Sequence, residues 1–428
     1  MISFIRNAFK VPDLRKRLLF TLTILALYRL GANLPAPGVN VEAISQLAAA
    51  TRGGLLGLLD LFACGALFER FAIFALGIMP YITASIIMEL LRVVIPKIGE
   101  WAKEGEVGRR KITQWTRYLT LVLAITESIG LTFLMERLLR DTGLPIRFDL
   151  QTRFLIIITL VTGAALIMWL GELITERGIS NGMSLIIFAN IVSRIPHGLI
   201  LTYQAQTSAT ARFGMMLTLV ALILVVVVAI IFVESGQRRI PVQYAKRIVG
   251  RKMYGGQSTY IPMKINSAGV IPIIFASSVL LFPGMLANFF PGKFFSMIAG
   301  HLETTSALYL ILFSGLIIFF AYFYTAIIFN PIELSDNIKK YGGFIPGVRP
   351  GYNTAVYFNK ILNRITLPGA IFLALIAVLP TLLISNLNIP FFRDFGGTAL
   401  LIVVGVALET VRQIESQLLM RHYEGFLH

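Results

Sequence analysis

The chain has 428 residues, of which 56% are hydrophobic and 14% charged, with a formal net charge of +16. A water-soluble domain is nearer half apolar and a quarter charged, so a soluble core cannot absorb this surplus and the composition points to a polytopic membrane protein. The single Cys64 excludes an intrachain disulfide and a cysteine metal cluster.

Ten apolar stretches are predicted as membrane helices, near 18–33, 71–93, 118–135, 154–171, 183–201, 213–233, 268–290, 307–329, 365–385 and 395–413. The fold class expected is an all-α polytopic membrane protein. The first stretch follows a basic flank, "LRKRLLFTLTILAL" (14–27), which resembles a signal peptide; nine further stretches follow it, which favours a retained first helix. Before the second stretch lies "GGLLGLLDLFACGALFER" (53–70), apolar but holding Gly53, Gly54, Gly57, Gly65 and Asp60. It is too short and too glycine-rich to span. A half-inserted segment must be buried in protein or line a cavity, because lipid cannot satisfy irregular backbone; an interfacial amphipathic helix is the alternative. The weakest stretch is 183–201, with Arg194, Pro196 and His197 near its end.

An even number of spans puts both termini on one side, and Lys and Arg choose the side. With both termini in the cytoplasm, the inside segments hold 26 Lys and Arg and the outside segments 8. The excess marks topology and attraction to anionic lipid, or a negatively charged docking partner.

Two inside loops are long. The segment 234–266 alternates in β fashion on either side of Gly255-Gly256, which predicts a hairpin. The segment 330–364 contains "GGFIPGVRPG", turn-forming throughout, with Arg349 displayed between two bends. Loops of this length are functional or disordered.

One phrase occurs twice. "ALGIMPYITASII" (75–87) and "SAGVIPIIFASSV" (267–279) align without a gap at an offset of 192, sharing Gly77/Gly269, Pro80/Pro272, Ile82/Ile274, Ala84/Ala276 and Ser85/Ser277. These residue types are common in membrane helices, so chance accounts for some of the identity. The phrases nevertheless fall in the second and seventh spans, the same member of two sets of five. With an odd number per set, the second set enters the membrane from the opposite side. That is an inverted-topology repeat, which places a substrate path between the halves.

Enzyme signatures are missing. The four histidines (His197, His301, His422 and His428) form no HExxH, and there is no GxxxxGK[ST] loop or GxSxG elbow. A proton- or sodium-coupled transporter, the rival with inverted repeats, places several ionisable groups at midplane; here Glu127 alone does not sit at a predicted span end.

The sequence resembles the bacterial SecY family of protein-conducting channels. The resemblance runs from about residue 14 to the end through "FALGIMPYITASII" (74–87), "KEGEVGRRKITQWTRY" (103–118), "MWLGELITERGISNG" (168–182), "GQRRIPVQYAKR" (236–247), "INSAGVIPIIFASS" (265–278), "FNPIELSDNIKK" (329–340), "GGFIPGVRPG" (342–351) and "FGGTALLIVV" (395–404). It implies two pseudo-symmetric inverted halves, 1–201 and 202–428, around a central pore. It implies a plug helix at about 55–66, comprising Leu55, Leu56, Gly57, Leu58, Leu59, Asp60, Leu61, Phe62, Ala63, Cys64 and Gly65. The family's apolar pore ring falls on Ile78, Ile82, Met183, Ile187, Ile274 and Ile402, where isoleucine is more usual than Met183. Such a ring resists ions by dewetting yet deforms around a peptide, and a thioether still seals. Isoleucine and methionine at helical spacing are otherwise ordinary packing residues.

The resemblance further implies a lateral gate lined by spans 2 and 7, with Thr83, Ser85, Ser277 and Ser278 on it. Contacts with a SecA motor ATPase or a ribosome fall on Arg251, Lys252 and Arg349. The implied partners are SecE, SecG, SecA, the ribosome, signal sequences and preproteins, and anionic lipids. No cofactor and no catalysis by the channel itself are implied, and the setting is the bacterial plasma membrane.

Overall fold

In the computed structural model, residues 9–39, 42, 44, 71–141, 149–206, 208–244, 247–249, 252–254, 258–289, 306–387, 391 and 397–424 are described. The expected plug, 55–66, lies outside them, as does Arg251; so do both chain termini.

The helices, in order, are α1 (Pro12–Ala32), α2 (Met79–Val94), α3 (Pro96–Lys103), α4 (Glu106–Asp141), α5 (Leu150–Arg177), α6 (Gly182–Gln204) and α7 (Ala209–Ser235), then α8 (Ile271–Phe289), α9 (Ala307–Ile328), α10 (Pro331–Lys340), α11 (Tyr352–Leu387) and α12 (Gly397–Glu424). A helix occupies each of the ten predicted stretches. Six of them (α4, α5, α6, α7, α9 and α11) are long and apolar enough to cross a membrane. α7 is the least buried of these, with Phe213, Leu217, Leu224, Val225 and Phe232 exposed. A helix with so apolar a free surface is stable only in a non-aqueous solvent or under a partner.

Local chemistry sets the boundaries. Asn181 caps α6 by accepting from the Met183 N–H at 3.0 Å, and Ser208 caps α7 by accepting from Ala211. Asn330 does the same at α10 for Ile332 and Glu333. α6, the weakest stretch by composition, is one continuous helix with Pro196 inside it. The stretch 71–93 is not. Residues 71–78 run in turns and the helix starts only at Met79, with Pro80 in its first turn, where a missing N–H costs nothing.

The helices pack as two series. α2 lies on α4, α4 on α5 and α5 on α6; likewise α8 lies on α9, α9 on α11 and α11 on α12. α2 also packs against α8, and α6 against α12. The α4–α5 pair is fastened at both ends. Arg117 meets Glu172 through a bidentate pair, Nε to Oε1 at 2.9 Å and Nη2 to Oε2 at 2.7 Å. Glu136, only 3% exposed, pairs with Arg153 at 2.9 Å and with Arg140 on its own helix.

The two long loops form one small domain. β1 (Gln237–Tyr244) pairs antiparallel with β4 (Ser258–Lys264), and inside that ladder β2 (Arg247–Val249) pairs with β3 (Lys252–Tyr254). β5 (Gly343–Phe344), from the second loop, joins the free edge of β1. Ile240, Val242 and Met263 bury against Ile338 of α10, Ile345, and Phe358, Ile361 and Leu362 of α11, a core separate from the main one. The reversal expected at Gly255-Gly256 is displaced: Val249 pairs with Lys252, so the chain turns between those two. The cause is burial. The register that pairs Ile240 with Ile261 and Arg238 with Met263 puts Ile240, Val242 and Met263 on the core side, and a one-residue slip would expose them.

Candidate functional site

The repeated phrases turn alike where their helices begin. Gly77 has φ +57° and Gly269 φ +63°, the left-handed region where glycine alone avoids a Cβ penalty. Each stands two residues before its helix, α2 or α8. The likeness extends upstream at the same offset. The Ile73 N–H donates to the carbonyl of Leu34, just past α1, at 2.9 Å; the Ile265 N–H donates to the carbonyl of Gly236, just past α7, at 3.0 Å. An isolated bridge joins Pro35 to Ala72, and the equivalent pair, Gln237 with Lys264, is the root of the β1–β4 ladder. A Cβ on Gly163 of α5 would overlap the Ile73 carbonyl, and one on Gly369 of α11 the Ile265 carbonyl. Two lead-in segments thus dock by matching contacts, one in each series of helices.

All six residues of the expected ring are buried in the main apolar core. Ile78 caps α2 and Ile82 follows one turn later, its N–H donating to the Ile78 carbonyl at 3.1 Å. Ile274 holds the equivalent place in α8, donating to the Val270 carbonyl at 3.3 Å. Met183 and Ile187 occupy the first two turns of α6, and Ile402 lies in α12, fully buried. The six therefore come from two packed pairs of helices, α2 with α8 and α6 with α12. Met183, at the fringe of the predicted span, packs its sulfur against Gly171 of α5.

Three of the four hydroxyls expected at the gate are satisfied within their own helices. Thr83 donates to the Met79 carbonyl at 3.0 Å, and Ser277 and Ser278 both donate to the Ile274 carbonyl, at 2.9 and 2.8 Å. Ser85 is half-buried on α2. Thr83, Ser277 and Ser278 can therefore face an apolar segment with their hydroxyls already paired. Arg349 is exposed, on a turn closed by the Val348 N–H on the Ile345 carbonyl at 3.1 Å and braced by the Thr354 hydroxyl on the Arg349 carbonyl at 2.9 Å. No carboxylate pairs with it among the described residues. Lys252 opens β3 beside the hairpin tip.

Sequence reasoning missed one polar group here. Asn266, 5% exposed, donates from Nδ2 to the Glu234 carboxylate of α7 and to the Gly269 carbonyl, each at 2.9 Å. The signal was present: in the gapless alignment Asn266 faces Phe74, a polar residue in an apolar place. Among the described residues no cluster of three His, Cys, Asp or Glu side chains is placed to hold a metal ion.

A helical membrane protein of two like-packed helix series joined at α2–α8 and α6–α12 is the class these features define. The family model for SecY matches residues 72–411. The protein translocase subunit SecY of Mycobacterium tuberculosis (strain ATCC 25618 / H37Rv) is 49% identical, over the whole of both chains. A SecY channel studied for a plug domain that stabilises its closed state and maintains a membrane seal has a TM-score of 0.62 at 18% identity, covering 94% of this chain and 92% of that one. The canine Sec61 channel in its ribosome complex from the endoplasmic reticulum has a TM-score of 0.57 at 16% identity, with the same coverage. The chain belongs to the SecY family. That membership sets aside the transporter and enzyme alternatives.

Proposed function

We propose that this chain is the central channel subunit of a protein translocase, conducting unfolded secretory polypeptides across the bacterial plasma membrane and releasing apolar segments sideways into lipid. The observation that carries the proposal is the matched docking of two equivalent lead-in segments, whose helices α2 and α8 pack on each other. In this reading ten helices span the membrane as inverted halves, 1–201 and 202–428, with both termini cytoplasmic. The shared packing order of the two series supports the symmetry. Ile78, Ile82, Met183, Ile187, Ile274 and Ile402 form the constriction, and residues 55–66 the plug. The seam between α2 and α8 is the lateral gate, lined by Thr83, Ser85, Ser277 and Ser278.

The hairpin domain then lies in the cytoplasm. Arg251, Lys252 and Arg349 engage SecA or a ribosome, a role supported by the ribosome-bound state of the canine relative. SecE and SecG complete the complex, and the exposed apolar face of α7 meets lipid or such a partner. Signal sequences and preproteins are the cargo, and anionic lipids face the basic side. The test uses cysteines placed in turn along 79–87 and 274–282 in a Cys64→Ser background. Pairs across the seam should crosslink in the resting channel, and the crosslink should block release of apolar segments into lipid. Absence of a crosslink at every pair would put the seam elsewhere.

A further inference from the structure

The two lead-in segments differ at one structurally equivalent position, and the difference is one of chemistry. At position 74 a phenylalanine stacks on Tyr28 of α1, ring centroids 5.4 Å apart and planes within 10°. At position 266 an asparagine reaches Glu234 of α7 instead. Both side chains tie the lead-in to the long helix that precedes its series in the chain, α1 before the first and α7 before the second. Phe74 does so with buried apolar area that no single displacement removes. Asn266 does so with one amide shared between a carboxylate and the Gly269 carbonyl, the carbonyl of the left-handed glycine that sets the start of α8. Arg412 of α12 donates to the Glu234 carbonyl at 3.0 Å and holds the end of α7 in turn.

We infer that Asn266 is a positioning residue that latches the base of α8 to α7 and α12, and that the β1–β4 hairpin holds α8 closed against α2 through this latch. The connection is short. Lys264, the last residue of β4, pairs with Gln237 at the root of the hairpin, and Asn266 follows two residues later. Glu234 and Asn266 flank this root on its two sides, joined by the Ile265–Gly236 hydrogen bond, so a tilt of the hairpin, such as a docking partner would impose, bears first on the contact between them. Hydrogen bonds to a charged acceptor are directional and lost over a fraction of an ångström to an ångström. A stacked aromatic pair loses contact gradually. The α8 base is thus releasable where the α2 base is not.

This inference rests on the proposed gate, and the experiment separates the two. Asn266→Leu, Glu234→Gln and wild-type channels, each as the full complex in lipid vesicles, are compared by hydrogen exchange and by crosslinking between 79–87 and 274–282. Asn266→Leu should speed exchange over 271–276 about tenfold, the loss of one charge-assisted hydrogen bond, with 79–84 unchanged, and should lower the crosslink yield. Glu234→Gln keeps an acceptor oxygen and should change exchange less than about threefold. Unaltered exchange at 271–276 in Asn266→Leu would overturn the latch whatever the crosslinks do. Arg412→Ala, which leaves Asn266 and its partners in place, gives a second route should Asn266→Leu fail to assemble: it should loosen 271–276 in the same sense, and unaltered exchange there would equally overturn the latch. Absence of crosslinks in the cysteine-bearing channels that keep Asn266 and Glu234 would overturn the gate alone, because the exchange result judges the latch by itself.

Discussion

The two antiparallel helix pairs at the backs of the two series, α4–α5 and α9–α11, are held by opposite means. α4–α5 carries an Arg–Glu pair at each end, Arg117 with Glu172 and Arg153 with Glu136. α9 has no Asp, Glu, Lys or Arg and seven aromatic residues. Its polar link to α11 is the Tyr322 hydroxyl on the Asn363 carbonyl at 3.3 Å, and towards α8 it presents Phe320 and Tyr324 edge-on to Phe275, at 5.6 and 6.1 Å. Ion pairs fix register, since a slide by one residue separates the partners in a medium where an unpaired charge is expensive. Aromatic contact is less particular and survives small slides. α2 therefore leans on a rigid support and α8 on a compliant one, which agrees with a latch placed at the base of α8.

The largest expected effect tests the rigid side. Arg153→Ala leaves the buried Glu136 with only Arg140, and should cost about 3 kcal/mol of stability, read as a lowered thermal transition of the purified complex. A loss below a third of that would mean that the clamp does not lock the pair. Next come the glycines under the two lead-ins. Gly163→Ala and Gly369→Ala each force a methyl against a backbone carbonyl and should cost about 1–3 kcal/mol, with Gly163 the worse because the overlap there is deeper. A tolerant Gly369 beside an intolerant Gly163 would sharpen the contrast further. Phe320→Leu on the compliant side keeps most of the volume and should cost about 1 kcal/mol or less. A larger drop would show that the aromatic pair locks as firmly as the ions do.

The smallest effect on stability, within about 0.5 kcal/mol, is expected for Arg349→Glu, while motor-driven translocation into vesicles should be lost. Arg349→Lys should not restore it if the planar fork of donors matters. Wild-type translocation by the Glu variant would move the docking contact to Arg251 and Lys252.

Much of this was legible in the chain. A helix occupies each long apolar stretch, six of them long and apolar enough to cross a membrane, and the repeated phrase marked the packed pair α2 and α8. Hydropathy could not show where α2 begins, because residues 71–78 are as apolar as the helix, and only the left-handed Gly77 separates them. Turn chemistry favoured Gly255-Gly256, but burial of Ile240, Val242 and Met263 sets the register of the hairpin. β5 is two residues long, below any periodic signal. The ion pairs join residues 55 and 17 apart in the chain, across helices whose facing sides no single sequence reveals. The six ring positions came from family resemblance; spacing alone would have left them as packing residues.

The two clamps of α4–α5 also measure a distance. They stand 19 residues apart on each helix, Arg117 to Glu136 and Arg153 to Glu172, or about 28 Å along the axis, close to the ~30 Å of a bilayer's hydrocarbon core. The pair thus forms a strut of fixed length with an ion pair at each rim and Glu127 of α4 as the one acidic or basic residue between them. Placed in a thicker or thinner bilayer, helices free to slide would each adjust alone, but a strut pinned at both ends must answer hydrophobic mismatch by tilting as one body. Because α2 rests on α4, such a tilt would carry α2 with it. Lipid thickness would then act on the seam between α2 and α8 as a mechanical input, independent of any docked partner.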